Sequence, residues 1–413
     1  MRMQTDISTK GVPALMIDIT FPPSRTHALE RLAAFVPAAG RLYAGGRNTD
    51  TGPDNPSAVS KLSPYLRHRL ITEQEVVAQV LARHDLAASE TFVREVLWRT
   101  YWKGWLQMRP FVWRGFLEQR DSQRAACKED RDILDAERGL TGIEGFDDWA
   151  KELVQTGYLH NHARMWFASI WIFTLRLPWE LGADFFLRHL VDADAASNTL
   201  SWRWVAGLQT VGKTYLATTD NIARYTNGRF APRGLATEAV ALIEPAIGPA
   251  RALEDMLTHD PAQPSLLLLT HEDMHPESVL PRSTPLSSVI VACDPDWLWG
   301  GYGRQFANAA AGELMARAAA HFGCPASVVN RLDAETLIVS ASAAGVTQII
   351  TPFAPVGPVA DALAQVAPVL AREGITLVPV RRDWDSTFWP HAKKGFFAFK
   401  EHIPAVLREQ GLV

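Results

Sequence analysis

The chain has 413 residues, is 47% hydrophobic and 21% charged, and carries a formal net charge of −4. Such a composition marks a globular protein with room for two or three domains, and no apolar run approaches the roughly 18 residues of a membrane span. Cys127, Cys293 and Cys324 lie far apart and form no CxxC pair, which argues against a disulfide framework and against a structural metal site.

The start, MRMQTDISTK, has no secretory apolar core, so a soluble cytoplasmic protein without metal is expected. Residues 1–230 are close to neutral, at about +2, and the remainder is acidic, at about −6. Neither part is the strongly basic body of a protein that lives on nucleic acid. Ten of the 14 tryptophans fall in the first 230 residues.

Taken in order, the first half reads as helices. ALERLAAFV (28–36), EQEVVAQVLARH (73–84), SETFVREVLWRTYWKGWLQ (89–107), FDDWAKELVQTG (146–157) and ARMWFASIWIFTLRL (163–177) have helical spacing or long apolar stretches. GGRNTDTGPDNPS (45–57) and GLTGIEG (139–145) read as loops. Residues 235–262 read as a connector with a short helix. From about 262 the texture changes: LLLLT (266–270), VIVAC (289–293), ASVVN (326–330), TQIIT (347–351) and TLVPV (376–380) read as buried strands. FANAAAGELMARAAAHFG (306–323) and PVADALAQVAPVLAREG (358–374) supply helices between them, which implies a parallel sheet covered on both faces. The expected architecture is an all-α domain over 1–234, a connector over 235–261 and an α/β Rossmann-like domain over 262–413.

Several segments carry candidate chemistry. If the chain is helical from Asp194, then Asp194, Asn198 and Trp202 stand at i, i+4, i+8 and share a face. An acceptor, an amide and an indole on one face suit a planar, heteroatom-rich, redox-active ring; a buried polar network with two core tryptophans would look the same. Asn161 and Met165 share a face of HNHARM, and Arg164 beside them could hold Asp192 or Asp194 ionised. Glu95, Trp98 and Arg99 cluster in EVLWR, and SKLSPYL places Ser60, Lys61 and Ser63 ahead of a helix, which suits a diphosphate. GLQTVGKT (207–214) fits the phosphate-loop pattern G-x-x-x-x-G-K-[ST], with Lys213 as its lysine and VIVACD (289–294) as a conceivable magnesium-binding strand. A phosphate loop needs a buried strand before it and a helix after it, and SWRWVA and YLATTDNIARY are poor candidates for either.

In this order, Tyr43, VSKLSPYL (59–66), EVLWRTYW (95–102), TGIEGFD (141–147), TGYLHNHARM (156–165) and DADAASNTLSWRW (192–204) resemble the flavin-binding helical domain of the DNA photolyase/cryptochrome family. The likeness covers residues 27–205. VIVACDP (289–295) and KKGFFAFKEHIPAVL (393–407) are similar to parts of the family's α/β antenna domain, which normally comes first; here it would come last, as in a circular permutation. The resemblance implies FAD. Ser60, Lys61 and Ser63 would hold its phosphates, with Tyr43 closing the site. Arg99, Arg164, Asp192 and Asp194 would surround the isoalloxazine, and Asn198 would face its N5.

The resemblance also implies an electron path and a repair pocket. Trp202 would be the proximal indole and Trp179 the second, with Trp149 or Trp113 as the third. Glu95 and Asn161 would hydrogen-bond a damaged pyrimidine pair, and Trp98, Met165 and Trp204 would wall it. That is the equipment of a blue-light-driven lyase acting on a dinucleotide flipped out of DNA. The alternative is a cryptochrome-like light or redox sensor with a signalling partner. Val59 and His162 depart from the family pattern, His162 standing where a phosphate-binding arginine is usual, so weak DNA binding is expected. The antenna loop is reduced to THEDMHPES (270–278), which names no antenna pigment.

Overall fold

A computed structural model describes residues 21–294 and 300–413; the final residue of VIVACDP, Pro295, lies outside them. The N-terminal part is a helical domain: α1 (Arg25–Phe35), α2 (Arg41–Gly46), α3 (Ser63–Arg67), α4 (Glu73–Leu81), α5 (Leu86–Gln107), α6 (Pro110–Ala126), α7 (Arg131–Arg138), α8 (Phe146–Thr156), α9 (Asn161–Ser169), α10 (Trp179–His189), α11 (Ala195–Val205) and α12 (Thr219–Tyr225). Local chemistry starts these helices. Thr72 and Glu75 form a reciprocal capping box on α4, and the Asp85 side chain accepts from the Ala88 N–H at the start of α5. The 22-residue α5 is buried on all sides through Val96–Leu97 and Thr100–Leu106, so it is the domain's central helix. The single helix read over 163–177 is interrupted: α9 ends at Ser169, and Ile170–Thr174 form a π-helical turn that stops before Leu177–Pro178.

The connector contains no helix. Pro245, Gly248 and Pro249 interrupt it, and it runs as an extended strap over the helical domain. Its backbone is held by Thr174 at Ala236, by Ala206 at Leu242 and by Met108 at Arg251. Glu244 on the strap takes a 2.5 Å ion pair from Arg203 and accepts the Trp179 indole N–H at 3.2 Å.

The C-terminal part is a five-stranded, wholly parallel sheet in the order β3-β2-β1-β4-β5. Its elements are β1 (Ser265–Leu269), β2 (Leu286–Ala292), α13 (Gly301–Phe322), β3 (Ala326–Val329), α14 (Ala334–Ala344), β4 (Gln348–Pro352), α15 (Pro358–Arg372), β5 (Thr376–Val380), α16 (Asp383–Phe388), α17 (Phe396–Lys400) and α18 (Ile403–Glu409). Central β1 is buried at all five positions, as a strand covered on both faces requires. Among the described residues, no helix is long and apolar enough to cross a membrane.

The two domains meet across the carboxyl ends of the parallel strands. The segment after β1 binds the helical domain around His68, with Met274 N–H donating to the His68 carbonyl at 2.9 Å. Val356, after β4, donates to Gln107 at 3.0 Å, and Trp384, after β5, donates to Thr100 at 3.1 Å. Gly104 lets α5 approach this side, because a Cβ there would lie 2.7 Å from the Trp389 ring.

Candidate flavin site

The predicted face exists. Asp194 is the N-cap of α11, its carboxylate accepting the Ser197 N–H at 2.6 Å, so Asn198 and Trp202 follow one and two turns later. Asn198 donates to the Ala183 carbonyl at 2.8 Å, which fixes its amide against α10. Arg164, from α9, pairs bidentately with Asp192 at 3.2 Å on both arms. Burial pushes the Asp192 carboxyl up, but Arg164, Arg99 and a hydrogen bond from Ser63 outweigh it and hold the group below the usual range. Asp194 is likewise raised by burial and lowered more by Lys103, Arg99 and Arg67. Both acids are ionised at neutral pH.

Four cations converge on this pair of acids. Arg67 and Arg99 lie 3.6 Å from Asp194, and Lys103 lies 3.8 Å away. Arg99 Nη1 and Lys103 Nζ are buried with no hydrogen-bond acceptor within reach. A buried cation without an acceptor is costly. These atoms fit an anionic, acceptor-rich group between them, and FAD is such a group. Ser63 opens α3 and bonds Asp192, and the Lys61 ammonium lies over the Tyr158 ring at 5.6 Å. Ser60 accepts weakly from Leu62 N–H at 3.4 Å. Tyr43 is buried among Phe35 and Phe92, and burial together with Glu95 raises its hydroxyl pKa. Val59 packs on the core.

The residues assigned to a repair pocket stand apart from their neighbours by exposure. Glu95, Trp98, Met165 and Trp204 are half-buried and Asn161 is exposed, while Val96, Leu97, His162, Ala163, Trp166 and Val205 are buried. Glu95 is raised by burial, with Arg47 at 3.8 Å pulling the other way. Trp98 is stacked on Phe396 of α17, with ring centres 3.6 Å apart and planes 11° apart. One face of this indole is therefore covered by the C-terminal part of the chain. Trp204 stacks on Tyr215 at 5.7 Å.

His162 is not a surface contact. It is buried, bonds the Asn48 carbonyl through Nδ1 and the Tyr215 hydroxyl through Nε2, and stacks on Trp166. Burial lowers its pKa, so it is a neutral spacer that seats Tyr215 under Trp204.

Trp202 is buried, edge-on to Phe186 at 5.1 Å and to Trp171 at 6.3 Å. Trp179 reaches Phe116 at 5.6 Å, and Phe116 reaches Trp113 at 5.4 Å. Trp149 instead stacks on Trp166, beside His162. Of the two candidates for a third indole, Trp113 shares the Trp179 side. Trp171, which lies in the π-helical turn, was not among the predicted residues, yet its indole is 6.3 Å from Trp202.

GLQTVGKT is the tail of α11: a helix precedes it, Gly207 takes a positive φ after the C-cap, and Lys213 is exposed in a turn with no helix until Thr219. No strand delivers that turn, and the phosphate-loop reading has no support in its geometry.

Missed altogether was the second layer. Arg67 forks onto Glu272 at 2.9 and 2.7 Å and donates to the Ala193 carbonyl at 2.8 Å. Arg69 holds Asp385 at 2.8 and 2.7 Å and Asp273 at 3.3 Å, with Glu73 3.6 Å away. Arg382 also clamps Asp273. The acids of THEDMHPES thus neutralise arginines of the helical domain. The sequence signal that could have found them is the pairing of RHR (67–69) with HED (271–273).

The buried two-acid, four-cation site at the N-terminus of an indole-bearing helix fits a flavin-binding helical domain. Residues 92–229 match the family model described as the FAD binding domain of DNA photolyase. The chain is 37% identical over 155 residues to a deoxyribodipyrimidine photo-lyase of Streptomyces griseus, covering 37% of this chain and 33% of that protein. It is 35% identical over 191 residues to the photo-lyase of Agrobacterium fabrum, covering 45% and 38%. A DASH cryptochrome of Ostreococcus tauri is 29% identical over 197 residues, covering 46% and 35%. A bacterial class III photolyase structure from Agrobacterium tumefaciens aligns with 50% of this chain and 43% of that one, at 28% identity and a TM-score of 0.42. The chain thus spans between a third and two fifths of the length of these curated relatives. Residues 92–229 carry the FAD binding domain described for DNA photolyase, and the cofactor of that domain is FAD.

Proposed function

We propose that this protein is a light-driven lyase that splits pyrimidine dimers in DNA, with its α/β domain permuted to the end of the chain. The observation that carries the reading is the exposure pattern: Glu95, Trp98, Met165 and Trp204 are only half-buried and Asn161 is exposed, amid buried neighbours. Two indoles and a methionine left partly exposed, with an acid and an amide of the kinds that bind base edges, suit a binding surface better than a core. Reduced FAD, when bound, would supply the blue-light-driven electron chemistry that splits the dimer. This chain's residues do the rest. Asp192 and Asp194, held ionised by their arginines, would accept from the flavin ring edge, and Asn198 would face it with an amide. Asn198 has no carboxyl proton to give, which suits a reduced anionic ring. Arg99 and Lys103 would balance its charge. Glu95 and Asn161 would bind the base edges, while Trp98, Trp204 and Met165 would exclude water from the flipped pair. Trp202 and its neighbours would carry electrons inward to regenerate the reduced form.

The second reading, a light or redox sensor with a protein partner, is favoured by one observation. His162 is sequestered and neutral where a phosphate contact is expected, so DNA would be held weakly. The deciding assay uses reduced protein and an oligonucleotide with a single thymine dimer, under blue light and in the dark. Repair in light alone is expected. Bound, photoreducible flavin without repair would overturn the lyase reading in favour of the sensor.

A further inference from the structure

In open parallel sheets, ligands bind beyond the carboxyl ends of the strands, where the connections reverse direction. In the order β3-β2-β1-β4-β5 that point lies between β1 and β4. Here the helical domain itself occupies the region. His68 Nδ1 lies 2.9 Å from the His271 carbonyl, Arg69 reaches Asp273, and Gly357 packs against Ala195. The place where such a domain would hold a ligand of its own holds Arg67, His68 and Arg69 instead.

Arg67 connects that crevice to the flavin site. Its Nη atoms hold Glu272 after β1, and its Nε holds the Ala193 carbonyl, between Asp192 and Asp194. Arg67, Glu272 and Asp194 are all buried. A planar guanidinium forked on one carboxylate cannot swing onto another without breaking two charge-assisted bonds. Without Glu272, Arg67 would be free to close the 3.6 Å gap to Asp194 and take up oxygens facing the cofactor.

We infer that Glu272 of the α/β domain is a positioning residue of the flavin site: it fixes Arg67 beside Asp194 and thereby sets FAD affinity and flavin potential from outside the helical domain. This rests on the assignment of FAD to that site. Glu272 touches no cofactor and acts through Arg67. Its charge also enters the balance: Arg67, Arg99, Lys103 and Arg164 face Asp192, Asp194 and Glu272, leaving one positive charge for an anionic reduced ring. Removing Glu272 raises that surplus.

The test uses the full chain, with FAD titrated into apoprotein and the flavin midpoint potential measured in holoprotein. Glu272→Gln is expected to weaken FAD binding by roughly tenfold, the scale on which outer partners of a bound group act, and to move the potential upward. Arg67→Lys keeps the charge and loses the fork, so it should weaken binding while leaving the potential near wild type; it also serves if Glu272→Gln fails to fold. Asp385→Asn, the same change on the Arg69 branch of the interface, should alter neither. Folded Glu272→Gln with wild-type affinity and potential would overturn the inference, as would equal effects from Asp385→Asn, which would mean general loosening of the interface. Failure of the FAD assignment itself would look different: wild-type protein would bind no flavin.

Discussion

Arg69→Met removes the central cation of the domain interface, and its cost can be worked from the contacts. Asp385 is buried and loses both bonds of its bidentate partner; Glu73 loses its 3.6 Å neighbour; Asp273 keeps Arg382. Stranding one partner of a buried pair costs about 3–5 kcal/mol. Protonation sets an independent ceiling. Holding one buried carboxyl neutral at pH 7, about three units above its unfolded value, costs about 4 kcal/mol at 1.4 kcal/mol per unit. The stranding cost, capped by that ceiling and reduced by what Asp385 already bears in the wild type, gives an expected loss of about 3–4 kcal/mol at pH 7. Burial already pushes Asp385 up, with Arg69 the main opposing charge, so in the variant its folded value rises further above its unfolded one. That penalty applies above the unfolded value and shrinks as pH falls towards it. At pH 5 it is about 1.5 kcal/mol on the same arithmetic. Chemical unfolding of wild type and variant at both pH values measures the difference. A deficit below about 1 kcal/mol at pH 7, or one unchanged at pH 5, would refute the reasoning.

Two further outcomes are expected. Burial depresses His160 and His275 to about 4, while in the unfolded chain they titrate near 6.5. Their contribution to stability is therefore complete above pH 6.5 and is lost as pH falls towards 4, by about 1.4 kcal/mol for each residue at pH 5.5; His275→Asn should remove about 1.4 kcal/mol of the drop seen by urea unfolding at pH 5.5. Trp202 is seated on Gly182, where a Cβ would meet its ring at 2.3 Å. Trp202→Phe should leave FAD bound and slow flavin photoreduction severely, as followed by absorbance under blue light; an unchanged rate would remove Trp202 from the electron path.

What could be read in the chain was what is local. The strand over 376–380 and the long helices over 73–84 and 89–107 announce themselves through apolar spacing and caps, and the structure keeps them within a few residues. The Asp194–Asn198–Trp202 face follows from helical spacing alone, and the Arg164–Asp192 pair from the chemistry of the two segments. The connector misled because VALIEPAI is apolar enough for a helix, yet its prolines and its contacts with the helical domain hold it extended. Trp171 was hidden because its partner Trp202 lies in a separate segment, and nothing in the spacing of either segment joins the two. The interface was least legible: Arg69 and Asp385 are 316 positions apart, and no periodicity joins them. Seen alone, RHR reads as a solvated basic run and HED as an acidic loop.

That separation bears on how the protein is made. The helical domain leaves the ribosome first, with Arg67 and Arg69 lacking carboxylates that are translated some 200 and 316 positions later. Domains usually fold as units during synthesis, but this one finishes with buried guanidinium groups still waiting for counter-charges. Its final compaction is therefore deferred until β1 and α16 have been synthesised, and chains halted before residue 385 would present a cationic, partly open surface to chaperones. Maturation of the flavin centre then becomes a late event in biogenesis, waiting for the strand that brings Glu272 to Arg67.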